Sequence, residues 1–145
     1  MRNFIKCGVI GWCMELIWTG LHSFITMNGK LTCTTSVWMF PIYGCAALLK
    51  PLGRLMKDRP LLLRGSFYAV CIYTFEYFSG MFLKKRGMCP WNYNESRHHL
   101  NGVICLDYFP VWFVAGLIFE KILKDSTDIT TPRSSHRKGY ILQRQ

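Results

Sequence analysis

Four carboxylates stand in stretches that are otherwise poor in charge. Glu15 is the only charged residue between Lys6 and Lys30, and Glu76 is the only one between Arg64 and Lys84. Asp107 and Glu120 are the only two between Arg97 and Lys121. A carboxylate in such surroundings binds a proton or a cation, pairs with a fixed charge, or works as an acid or base, because an isolated ionised group there is costly. The neighbours at helical spacing are small or polar. Gly8, Trp12, Glu15, Thr19, His22 and Thr26 share one stripe, and Gly65, Ala69, Tyr73, Glu76 and Gly80 share another. Small residues let helices approach and polar ones bond across the gap. The expected intramembrane polar site is therefore Glu15, Glu76, Asp107, His22 and Tyr43, with Tyr73 as a further hydrogen-bond partner. Structural support of the fold accounts for the same residues as well as a hydrated pocket does.

No catalytic set is assigned. The chain lacks a G-x-x-x-x-G-K-[ST] phosphate loop, a G-x-S-x-G elbow and an H-E-x-x-H zinc helix. Its seven cysteines include no C-x-x-C pair, so neither a metal nor a cofactor is expected. Cys33 and Cys89 would lie near the same boundary, which leaves a disulfide between them open. Cys89, His98, His99 and Cys105 fit no standard metal spacing and are read as loop residues. Asn94-Glu95-Ser96 is a glycosylation sequon that matters only in a eukaryotic secretory setting.

The elements that must position these groups follow from where charge is missing. The four charge-poor windows are 23, 19, 19 and 23 residues long. Each spans a hydrocarbon core of about 30 Å at about 1.5 Å per residue. Only helices or a closed barrel satisfy the backbone in lipid, and strict alternation is absent. The expected fold is all-α: an integral membrane bundle of four transmembrane helices at about 4–26, 34–56, 61–83 and 103–123, forming a membrane domain over 1–124. The remaining segment, 125–145, reads as a flexible basic cytoplasmic tail. Half the 145 residues are hydrophobic and 15% are aromatic, against a net charge of +10, which excludes disorder and a basic nucleic-acid tail protein. With both termini cytoplasmic, thirteen basic residues lie inside and five outside. Glu15, Glu76 and Asp107 then fall between the middle and the outer half of the bilayer. Pro41 and Pro110 are expected to bend spans two and four. Trp38, Phe40, Trp91 and Tyr93 mark the outer boundary. Trp91, Tyr93 and Asn101 are expected to fold over the outer helix ends and cap a pocket with Tyr43.

Several short motifs occur in a fixed order. Gly11-Trp12-x-x-Glu15 comes first, then Thr35-Ser36-Val37-Trp38 and Pro41-Ile42-Tyr43-Gly44. Glu76-Tyr77-x-x-Gly80 follows, then Cys89-Pro90-Trp91-Asn92-Tyr93, Asn101-Gly102-x-Ile104-Cys105-Leu106, and Trp112. This order resembles the CmpB-like ABC-transporter type IV permeases, small bacterial membrane proteins. Thr35–Trp38, Pro60-Leu61-Leu62-Leu63-Arg64 and the Cys-Pro-Trp group also resemble animal transmembrane protein 229. The likeness covers about residues 8–120. That family usually carries Trp-Asp-Tyr where this chain has Trp91-Asn92-Tyr93, so an amide replaces an acid. The resemblance implies a multi-pass protein of the bacterial plasma membrane, a transport subunit for an unspecified substrate. Its partners would be the lipid bilayer, a further copy of the chain and a separate ATPase subunit, with no nucleic acid. The alternatives are a non-catalytic membrane scaffold or assembly factor and, ranked third, a membrane-embedded enzyme acting on a lipid.

Overall fold

The computed structural model describes residues 1–26 and 29–128, the side chains of 126–128 excepted. It is mostly helical. The order is α1 (Arg2–Ile25), α2 (Met39–Gly44), a 3-10 segment (Cys45–Leu48), α3 (Leu49–Leu55), α4 (Leu61–Lys85) and the two-residue strands β1 (His99–Leu100) and β2 (Ile104–Cys105). A short 3-10 turn (Leu106–Tyr108) then leads into α5 (Phe109–Asp128).

The expected second span departs most from a plain helix. Residues 34–36 have no regular secondary structure, helix begins at Met39, and the run to Leu55 is broken by the 3-10 segment. Pro51 explains the break: it has no N–H for the carbonyl of Ala47, and its ring crowds that carbonyl in a regular α-helix. Pro41 and Pro110, expected to bend their spans, instead occupy the first turns of α2 and α5. First-turn N–H groups have no intrahelical partner, so proline costs nothing there. The expected fourth span starts later as well, because Ile104 and Cys105 pair with Leu100 and His99 in an antiparallel hairpin. At its other end α5 runs through Asp128, so the start of the expected tail is helical. Residues 129–145 lie outside the described residues.

Among the described residues, α1 alone is long and apolar enough to cross a membrane by length and composition. The four-span expectation is not met on that measure, and the reasons are local. The second segment is interrupted by Pro51. Helix α4 carries Arg64 and Glu76 among several small and polar residues, and α5 carries Glu120, Lys121 and Lys124.

Helices α1 and α2 pack closely, as do α4 and α5. Glycines set both approaches: a Cβ on Gly11 would come within 2.1 Å of the Tyr43 ring, and one on Gly65 within 2.3 Å of the Phe113 ring. On the opposite side of that second contact, Gly116 accommodates Tyr68, whose Cβ would lie 2.4 Å from an added methyl. Cys7, Leu49, Tyr68, Phe119 and Leu123 form the core where the two pairs meet.

The end of α4 is a Schellman motif. Met88 N–H donates to Leu83 O at 2.9 Å and Gly87 N–H to Lys84 O at 3.0 Å, with Gly87 at φ +66°. The cluster Lys84–Arg86 therefore sits where the helix dipole favours cations. Lys84 Nζ also donates to Asn101 O at 2.7 Å, and the Arg86 guanidinium lies over the Phe82 ring.

Candidate functional site

The polar stripe of α1 holds the irregular segment that follows it. Trp12 Nε1 donates to Ser36 O at 3.0 Å. Thr19 Oγ1 accepts from Thr34 N–H at 3.0 Å and lies 3.1 Å from Thr34 O. Thr35 Oγ1 donates to Glu15 Oε2 at 2.9 Å. Residues 12, 15 and 19 thus satisfy backbone and side-chain groups of a stretch that has no helix or sheet of its own. The same segment borders an apolar groove of about 320 Å³ lined by Trp12, Val37, Trp38, Phe40 and Pro41.

Glu76 lies deeper, at 8% exposure, on the face of α4 that meets the loop and α5. Tyr93 Oη donates to its Oε1 at 3.3 Å. Its Oε2 is buried without a hydrogen-bond partner, as is the indole nitrogen of Trp112. Trp112 is nevertheless close enough to act on the Glu76 carboxyl. Tyr43, brought up against Gly11, lies in the electrostatic field of both Glu15 and Glu76. Tyr73 spends its hydroxyl elsewhere, donating to Cys105 O at 2.9 Å with Leu106 O at 3.2 Å.

The segment after α4 folds back onto this region. Trp91 packs over Gly80, where an added Cβ would meet it at 3.1 Å, and its Nε1 donates to Val103 O at 3.0 Å. Tyr93 N–H donates to Gly102 O at 2.9 Å, and the Tyr93 ring stacks edge-on with Tyr108 at 5.5 Å. Tyr108 in turn packs against Trp18 of α1 at 5.6 Å. Asn101 Nδ2 donates to Tyr77 Oη at 3.2 Å. The turn Asn101–Gly102 needs positive φ at both positions, and Gly102 leaves room for the Asn94 side chain. Burial drives the Tyr93 phenol well above its ordinary pKa, and the adjacent Glu76 adds to the effect.

The structure thus brings Glu15, Tyr43, Glu76 and Tyr93 into one region, with Trp91 against α4 at Gly80 and Asn101 bonded to Tyr77. It does not bring His22 there, and it leaves Asp107 at the margin, within the electrostatic reach of Tyr73 and Tyr108, which also feel Glu76. Asp107 is exposed in the 3-10 turn and lies 3.0 Å from His98 Nδ1, because the hairpin takes residues 103–105 of the expected span out of the helix. His22 is exposed near the end of α1, and its carbonyl takes the Thr26 N–H. All seven cysteines are free, Cys33 and Cys89 included.

A second buried carboxylate went unassigned in the sequence. Glu120 is 4% exposed and pairs with Arg64 and Lys124, with the Tyr68 hydroxyl alongside. Matching depth was the available signal: Arg64 opens one charge-poor window and Glu120 closes another, both on the same expected side.

No solved structure matches the chain. The family model described as "Putative ABC-transporter type IV" matches residues 2–142, nearly its full length, and the protein belongs to that family.

Proposed function

We propose that the chain is a four-span membrane protein, with both termini cytoplasmic, that serves as the permease-like subunit of a transport system. One observation carries the membrane part of this reading: the distribution of polarity is inverted. Glu76 and Glu120 are buried, whereas Ile17, Leu21, Phe24, Val70, Phe78 and Phe82 are exposed on α1 and α4. Water-soluble monomers do not present apolar faces of that extent, and lipid covers them without cost. Helix α4 extends about 37 Å and α5 about 30 Å, enough for a hydrocarbon core. The broken segment 39–55 is tolerable at depth because α1 and α5 pack against it.

Family membership supports the transport part. The candidate translocation site is the Glu15–Tyr43–Glu76 region beneath the Trp91–Tyr93 cap. Four spans are few for a complete pathway, so the reading includes a second copy or a partner, and a separate subunit must supply the phosphate loop absent here. The scaffold alternative draws on the α1 stripe, where Trp12 and Thr19 spend their hydrogen bonds on holding residues 34–36.

Full-length protein extracted from its native membrane in mild detergent is expected to bring down an ATPase subunit with a phosphate loop. Recovery with no ATPase would overturn the transporter-subunit reading and favour the scaffold. Substitution supplies an independent check: the Glu15→Gln, Glu76→Gln double variant should accumulate normally and lose transport.

A further inference from the structure

Two glutamates are buried in the described structure, and they are treated oppositely. Glu120 has Arg64 and Lys124 as counter-charges. Glu76 has no ion pair among the described residues; one oxygen accepts a single phenol hydrogen and the other has no partner. The groups that act on Glu76 or lie in its field are Tyr73 of its own helix, Tyr43 of α2, Tyr93 of the loop, Tyr108 of the 3-10 turn and Trp112 of α5. None carries a positive charge. The acids that share a tyrosine with it, Glu15 through Tyr43 and Asp107 through Tyr73 and Tyr108, would add repulsion rather than relief. A carboxylate left ionised in such a place costs far more than a neutral acid. The described residues hold no group of three or more metal-ligating side chains that could supply a metal cation instead.

We propose that Glu76 is an exchangeable proton-binding site, with Tyr93 of the cap as the hydroxyl that positions it and opens or closes its route to the outer side. The proposal rests on the four-span reading, since it places the carboxyl in lipid-shielded surroundings. As a neutral acid Glu76 places its own O–H on the unpartnered oxygen. Once ionised it draws on the donors around it, the Tyr93 hydroxyl and the Trp112 indole N–H. Trp91 over Gly80 and the buried Val103 close the region beside Tyr93, so displacement of the cap exposes the carboxyl.

A hydrophobic carbodiimide, dicyclohexylcarbodiimide, tests this on the wild-type chain reconstituted in neutral phospholipid vesicles. It adds to protonated carboxyls in apolar surroundings and leaves a stable acylurea that peptide mass spectrometry locates. The adduct is expected on Glu76 and not on Glu120, whose fixed counter-charges keep it ionised. Labelling should fall as pH rises from about 5 to about 9. Tyr93→Phe removes one donor to the ionised form, so its labelling should persist about one pH unit higher. No adduct at Glu76, or equal labelling of Glu76 and Glu120, overturns the site. Labelling that does not change with pH also overturns it, because the proton would then be a fixed part of the fold. Single-cysteine variants at positions 92 and 125 on a cysteine-free background, reconstituted in parallel vesicles, score membrane insertion separately: an impermeant thiol reagent should reach one position and not the other, so failure of the proton site is distinguishable from failure of the four-span reading.

Discussion

Arg64 and Glu120 show how much one side chain can decide at depth. Truncating Arg64 leaves a carboxylate that is 4% exposed with Lys124 as its remaining counter-charge. Arg64→Ala is expected to cost about 3 kcal/mol, read as a lowered unfolding midpoint in detergent micelles. An unchanged midpoint would mean that Lys124 alone neutralises Glu120. Position 92 carries an amide, Asn92. Asn92 is exposed and its Oδ1 accepts from Asn94 N–H at 3.1 Å, an Asx turn that a carboxylate makes equally well. Asn92→Asp should therefore change stability by less than about 0.5 kcal/mol, and Asn92→Ala should lose about 1 kcal/mol. The opposite order in thermal melts would return that position to the chemistry. At Gly11 the Tyr43 ring leaves no room for a side chain. Gly11→Val should displace Tyr43 and cost about 2 kcal/mol by overpacking, and a structure of the variant with Tyr43 unmoved would contradict this.

At the level of elements, the hairpin 99–105 and the break before Pro51 do the most to shape the site. The hairpin is held by backbone bonds, by Lys84 on Asn101 O and by Trp91 on Val103 O. The exposed His98–Asp107 pair at its edge adds little, since surface ion pairs contribute between about 0 and 1 kcal/mol. Asp107→Asn is accordingly expected to leave both the unfolding midpoint and the Glu76 environment nearly unchanged, as measured by thermal melts and carbodiimide labelling. The break before Pro51 has a sharper consequence. Pro51→Ala supplies the missing N–H, and hydrogen exchange should find the amide at position 51 protected and the segment 45–48 shifted toward α-helix. Rapid exchange there would place the cause of the break elsewhere, in the packing of Leu49 and the Tyr43 ring against α5.

For the whole molecule, the proposed topology makes a direct claim. On a cysteine-free background, single cysteines at position 92 should react with an impermeant thiol reagent in intact cells, and those at position 125 should not. Labelling at 125 without permeabilisation would reverse the orientation, and the basic cluster Lys84–Arg86 would then lie on the cytoplasmic side. That cluster is already engaged at the C-terminus of α4 and across the Phe82 ring, so it is a weaker signal of sidedness than its charge suggests. The thirteen basic residues assigned to the cytoplasmic side include four in 129–145.

The sequence by itself determined the helical class, the approximate positions of the long segments and the two stripes that carry Glu15 and Glu76. Those features follow from composition and periodicity, which act locally along the chain. The ordered motifs carried the family, and they also marked Trp91, Tyr93 and Asn101, which meet Gly80, Glu76 and Tyr77 of α4 although nothing local brings them there. Only the tertiary structure gave the three expected carboxylates their different settings. Asp107 lies exposed at the margin because strand pairing between residues 99–100 and 104–105 overrides an apolar run that reads equally well as helix. Glu15 keeps its position, yet its hydrogen bond goes to Thr35, a partner fixed by how the irregular segment returns along α1. Glu120 and Glu76 look alike in one dimension, each an acid in an apolar run. Their difference, two cations around one and none around the other, is set by which helix faces meet, and pairing across faces depends on packing that no single segment encodes.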